Sequence, residues 1–165
     1  MSFQLSLSTE SVSAAYPDEP LFVIPSAPIG EVIQLFGAQQ SGSVLVCESD
    51  STDGGKLLGI FTERDALKCI AAVSSGQQSD LMSKPVSEVM STELKTLEAD
   101  TSMGEAIKLM SQGGYRHLPI IDAESRPIGM ETVHGIVHYL VDHFPQTVYN
   151  LPPNPRTIPA EREGA

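Results

Sequence analysis

Apolar and polar positions along this chain trace the same pattern twice. GEVIQLF (30–36) matches GEAIKLM (104–110) at an offset of 74, and SVLVCE (43–48) matches HLPIID (117–122) at the same offset. The offset then drops to 70, where LLGIFTERD (57–65) matches PIGMETVHG (127–135). The four missing residues fall in a turn, SDSTDGGK against AESR, where insertion costs little. A repeat of this kind decides the architecture before any single element does.

Each copy predicts the same elements in the same order. A short extended segment comes first, at 21–24 and 94–97. An N-cap, Ser26 or Asp100, then opens an amphipathic helix with apolar residues three and four apart: Ile29, Val32, Ile33 and Phe36, or Met103, Ala106, Ile107 and Met110. Two short apolar strands follow, joined by a turn rich in Asp, Ser and Gly, and read as a hairpin. Directly after them Thr62 or Thr132 starts a second helix, carrying Ala66, Leu67 and Ile70, or Ile136, Val137 and Leu140. The fold class is therefore α/β of the α+β kind, two β-α-β-β-α units of roughly 55 residues each. One unit is too small to cover both faces of its sheet, so the two are expected to pack sheet against sheet.

The boundaries follow from the same pattern: a polar, extended arm at 1–20, a first repeat at 21–73, a polar linker at 74–90 and a second repeat at 91–144. Within the linker, VSEVM predicts one helical turn. The tail, 145–165, holds five of the twelve prolines, which excludes helix; Val148, Tyr149 and Leu151 remain candidates for docking on the core or on another subunit.

Composition narrows the classes of function. The 165 residues suit one compact unit, and 41% apolar content supports a core. A net charge of −11 argues against broad binding to nucleic acid or anionic membrane, both of which need basic surface. No apolar window reaches a membrane span, and MSFQLSLSTES lacks the basic and apolar regions of a secretory signal. Cys47 and Cys69, both in apolar runs, read as buried thiols, so a reducing cytoplasm is the expected location.

Both copies resemble CBS domains, and 21–144 as a whole resembles a stand-alone CBS pair, or Bateman module. The resemblance rests on GSVLVCE followed by GIFTERDAL in the first copy, and on GYRHLPIID followed by GMETVHGIV in the second. It implies two clefts between paired sheets that hold adenine nucleotides or related adenosyl ligands, a homodimer of disc shape, and a regulatory rather than catalytic role toward a partner protein.

The residues support a specific reading of the first cleft. An N-cap Thr62 aims its hydroxyl and the free helix N–H groups at a phosphate, with Arg64 on the same turn. Asp65, an acceptor with two oxygens, suits the two hydroxyls of a ribose. Thr-x-x-Asp is equally a capping box, and both roles are compatible for Thr62. Arg116 and His117 open the strand where the resemblance implies basic residues facing the shared cleft; the Arg fork suits phosphate, and the plainer alternative is a surface ion pair and a packed histidine. In the second copy Thr132 keeps the cap position. Gly135 replaces the carboxylate, His134 replaces Arg64, and Glu131 replaces Phe61. If Glu131 faces the cleft it repels phosphate, so the second site is expected to be degenerate for ordinary nucleotides.

Other signals fall short. His134, His138 and Asp142 share a helix face, which a solvated surface explains without zinc. The turn around Gly54 fails as a calcium loop, with Ile60 where a bidentate Glu belongs. There is no phosphate-binding loop, nucleophile elbow or dinucleotide fingerprint. Three classes remain: a sensor of an adenosine-containing ligand, an interaction module with degenerate sites, and, least supported, a metal or redox enzyme.

Overall fold

The computed structural model describes residues 7–15, 17–49, 55–76, 78–145 and 148. The first repeat contributes β1 (Phe22–Val23), α1 (Ile29–Gln39), β2 (Ser43–Cys47), β3 (Leu57–Thr62) and α2 (Glu63–Ser74). The second contributes β4 (Leu97–Glu98), α3 (Met103–Gly113), β5 (His117–Ile121), β6 (Pro127–Thr132) and α4 (Val133–His143). Each forms a three-stranded sheet, β1-β2-β3 or β4-β5-β6, in which the first pair is parallel and the second antiparallel. The registers Ser43↔Thr62 and His117↔Thr132 put both cap threonines at equivalent corners.

The repeats pack through their sheets. Val44, Val46 and Phe61 point at α1 and α2 and join Ile29, Val32, Ala66 and Cys69 in one core. Leu45 and Cys47 point the other way and meet Met130 of the second sheet. With both faces covered, all five residues of β2 are buried, which is why SVLVC reads as an unbroken apolar run. Cys47 and Cys69 are free and buried, and burial raises both thiol pKa values, Cys47 to about 11. On α2 and α4 the core faces are Ala66, Cys69, Ile136 and Tyr139. Leu67 and Val137, read from sequence as part of those faces, are instead 67% and 53% exposed.

The helix starts differ from expectation. The residue at the N-cap of α1 is Pro28, not Ser26, and that of α3 is Ser102, not Asp100. Ser102 accepts from the Glu105 N–H at 3.3 Å. Pro28 offers no side-chain cap, and its fixed φ of −63° simply leads the chain into the helix.

Among its described residues the arm is not extended throughout. Residues 7–9 are helical, Val12–Ala14 form a 3-10 turn, and Val12 and Ala15 are fully buried in the core of the second repeat. The Val12 N–H donates to the Thr101 carbonyl at 2.8 Å, the Met103 N–H to the Glu10 carbonyl at 2.9 Å, and the Tyr139 hydroxyl to the Glu10 carboxylate. The linker does the mirror-image job, seating Leu81 and Val86 in the core of the first repeat. Each repeat is thus closed by the segment that precedes the other. Sequence pattern alone missed this because two or three small apolar residues in a polar stretch carry no period.

Val148 is described and 39% exposed, whereas Tyr149, Leu151 and Gly54 lie outside the described residues. Among the described residues no helix is long and apolar enough to cross a membrane.

Candidate ligand clefts

The sheet pairing leaves two clefts related by the repeat. The first encloses about 230 Å3 where the β3–α2 junction meets the segments before β4 and β5. It brings together Thr62, Arg64, Asp65, Arg116 and His117, five of the six residues expected at a ligand site. It also contains Lys68 and Lys95, which the sequence reading did not single out. Lys68 stands one turn beyond Asp65 on α2, and Lys95 lies beside β4, so each depends on an element already located. Ile60, Leu94, Tyr115 and Pro119 supply the apolar wall.

Asp65 fills the capping role. Its Oδ2 accepts from the Thr62 N–H at 3.2 Å and from the Thr62 hydroxyl at 2.8 Å, and its Oδ1 pairs with the Lys68 ammonium at 3.1 Å. The carboxylate is 13% exposed and Lys68 is 71% exposed, so the lysine end of this pair is the one free to move. Arg64, Lys95 and Arg116 have no ion pair within 4.0 Å among the described residues.

His117 lines both clefts. Burial lowers its pKa, as does Arg116, while Glu63 and Asp18 pull the other way. The imidazole is therefore neutral near pH 7. A Cβ at Gly42 would stand 3.3 Å from His117 Nε2 and 3.4 Å from Glu63 Oε2, so the glycine keeps room for both side chains.

The second cleft is larger, about 600 Å3, and contains Thr132, the sixth expected residue. Among the described residues no Lys or Arg lines it. At the repeat offsets Arg64 becomes His134, Lys68 becomes His138, Lys95 becomes Leu21 and Arg116 becomes Gly42. The Thr132 hydroxyl accepts from the Gly135 N–H at 2.9 Å and donates to Asp18 Oδ2 at 3.0 Å. Asp18, from the arm, had no role in the sequence reading, since only the tertiary fold carries it here.

Glu131 does not face the cleft. Strand alternation gives the cleft to Met130 and Thr132 and turns Glu131 inward, where Phe61 stacks on Phe36 in the first repeat. Glu131 is fully buried, and neither carboxylate oxygen has a hydrogen-bond partner among the described residues. Burial, then the Asp18 charge, push its pKa up to about 7, against a weak pull from the Thr132 N–H. A Cβ at Gly135 would lie 3.2 Å from Glu131 Oε1. Gly135 thus makes space for a carboxylate that has moved from the helix to the strand end.

The CBS domain model matches this chain twice, over residues 12–72 and 86–142. The chain belongs to the CBS domain family. Both matched stretches begin at the cross-packed turns, Val12 and Val86. This CBS pair is 39% identical over 101 residues to the CBS domain-containing protein YhcV of Bacillus subtilis, covering 61% of this chain and 64% of that one. The chain spans between 47% and 66% of the lengths of the first curated relatives it matches. Among solved structures it is similar to CBSX2 in complex with AMP, with a TM-score of 0.67 and 20% identity over 80% of this chain and 96% of that one. It is also similar to the CBS domain pair of MJ0100 in complex with 5′-methylthioadenosine and S-adenosyl-L-methionine, with a TM-score of 0.65 and 20% identity over 81% and 98% of the two chains.

Proposed function

We propose that this CBS pair is a regulatory, non-catalytic module that senses an adenosine-containing ligand in its first cleft and passes the signal to a partner protein. The observation that carries the reading is the composition of that cleft. A chain of net charge −11 gathers four of its ten Lys and Arg residues there, against two carboxylates, Asp65 and Glu93, beside Thr62 and an apolar wall. A phosphate is drawn to that local positive charge and to the start of α2, and a ribose displaces Lys68 from Asp65 Oδ1. Adenosyl ligands in CBSX2 and MJ0100 support the ligand class. Sensing then requires that the ligand bind two conformations of the module with different affinity.

The exposed apolar residues Leu67 and Ile70 on α2, with Val133 and Val137 on α4, support a homodimer joined through these helices. Light scattering at micromolar concentration tests it, and a monomer there counts against it. The engagement of both Asp65 oxygens within the protein favours a second reading, an interaction module whose sites are structural. Melting curves with adenosine, AMP, ADP, ATP and S-adenosylmethionine separate the two. Ligand at 100-fold above Kd adds about 2.7 kcal/mol, a rise of several degrees for a chain of this size. A flat panel leaves the interaction module.

A further inference from the structure

On β6 the arm takes hold of the two residues that flank Glu131. The Asp18 N–H donates to the Met130 carbonyl at 2.9 Å, and the Asp18 carbonyl accepts from the Met130 N–H at 3.0 Å. The Asp18 carboxylate accepts from the Thr132 hydroxyl at 3.0 Å. Between these grips lies a fully buried carboxyl group, neither oxygen of which has a hydrogen-bond partner among the described residues. The first repeat has the same arrangement without the acid. Ser91 of the linker exchanges two backbone hydrogen bonds with Ile60 of β3, at 3.0 Å and 2.9 Å, and the next residue of that strand is the buried Phe61. One strap crosses beside a phenylalanine, the other beside a carboxyl group.

The elements around Glu131 offer it little that is polar. β5 sets Leu118 opposite it, α4 brings Gly135 beside its Oε1, and α3 buries Met103, Ala106 and Met110. His117 of β5 and His134 of α4 line the cleft on the other face of the strand, and the Tyr139 hydroxyl of α4 donates to Glu10. That leaves Asp18 of the arm, whose charge opposes ionisation of Glu131. A carboxyl group so placed is tolerated as the neutral acid and not as the anion.

We infer that the arm is a proton-operated strap: Glu131 is held as the neutral acid while the arm is seated and gives its proton to water when the arm lifts off β6, so that lifting becomes easier as the pH rises toward neutral. Once Asp18 leaves Met130 and Thr132, water reaches the strand and the like charge is gone. Lifting also takes Val12 and Ala15 out of the core of the second repeat, and Asp18 and Glu19 off the rim of the second cleft. With the seated pKa pushed up to about 7, opening rises by up to about tenfold per pH unit from about pH 5 and levels off above about pH 7, where the seated carboxyl is itself ionised. The inference holds whatever either cleft binds.

The test is residue-resolved hydrogen exchange on the full chain between pH 5 and pH 8.5, each rate corrected for the intrinsic effect of pH. The amides of Val12, Asp18, Met103 and Met130 report the arm, and those of Ile60, Val86 and Ser91 report the linker. In the parent chain, opening at the arm amides should rise about thirtyfold from pH 5 to pH 7 while the linker amides stay flat. Glu131→Gln, which keeps the size and cannot ionise, should make the arm as flat as the linker. Asp18→Asn, whose amide oxygen still accepts from Thr132, should level off at a lower pH, and it keeps the test open if Glu131→Gln fails to fold. The inference is overturned if arm opening does not depend on pH, or if Glu131→Gln retains the rise, which would assign it to His117 or His134. It is also overturned if the linker amides open in step with the arm, as in global unfolding, or if Asp18→Asn leaves the levelling point unmoved.

Discussion

The two clefts start from one backbone plan and end with opposite chemistry. Both have a strand that delivers a threonine to the first position of a helix, and in both the threonine hydroxyl reaches a carboxylate. In the first, the carboxylate is Asp65 on the helix, and Phe61 behind it is ordinary core. In the second, the helix position is Gly135, the core position is Glu131, and the hydroxyl has turned to the arm. Among the described residues four Lys and Arg stand around the first and none around the second. A cap conserved between repeats therefore fixes geometry only; the ligand chemistry lies in residues that the fold brings in from other segments.

The largest expected effect strikes at Glu131. Its folded pKa of about 7 lies above the ordinary carboxylate value, so the folded state holds this proton more tightly than the unfolded state. Stability is thus greatest below about pH 4.5 for this group, and falls as the pH rises through 7. The full difference is about 3 kcal/mol, or several degrees of melting temperature. Glu131→Gln should remove that slope, and its advantage over the parent chain should grow between pH 5 and pH 8 in thermal melts. A parallel slope in both proteins would place the burial cost elsewhere.

Next in size, Gly135→Asp should not turn the second cleft into a copy of the first. The new Cβ would meet Glu131 Oε1 at 3.2 Å and Thr132 Oγ1 at 3.3 Å, and the new carboxylate adds like charge. A loss of about 1–3 kcal/mol is expected. Glu131→Phe with Gly135→Asp, which recreates the first-repeat pair, should recover part of it in denaturant melts. Simple additivity of the two changes would break the idea that the carboxylate moved.

Asp65→Ala removes the acceptor for both Thr62 donors, and should cost about 1 kcal/mol of stability as well as at least tenfold in AMP affinity. Arg116→Ala has the smallest effect on the fold. It is an exposed residue with no ion pair among the described residues, so melting should stay within about 0.5 kcal/mol of the parent while AMP affinity drops. If both variants bind AMP like the parent chain, the first cleft is not the AMP site.

What the sequence disclosed and what it hid divide along the same line. The repeat and the element order were legible because each leaves a periodic trace. So was the meeting of Thr62, Arg64, Asp65, Arg116 and His117, whose positions follow from those elements. Asp18 was not, since its role exists only once distant segments pair. The orientation of Glu131 needed the phase of β6, because a shift of one residue sends a side chain to the opposite face. The caps at Pro28 and Ser102 were missed for a simpler reason: Ser26 and Asp100, two positions earlier, are residues of the preferred cap types.

The crossed closure of the two cores has a consequence for any attempt to take the chain apart. A cut near residue 78 yields two fragments, each carrying the stopper of the other: the front fragment ends without Leu81 and Val86, and the rear fragment begins without Val12 and Ala15. Neither half is a self-sufficient domain, however closely one repeat resembles the other. The true units are interlaced in sequence and whole only in space. A construction that joined the arm directly ahead of residue 91, and the 80–90 segment ahead of residue 21, would untangle them into two consecutive bodies that still meet through Leu45, Cys47 and Met130.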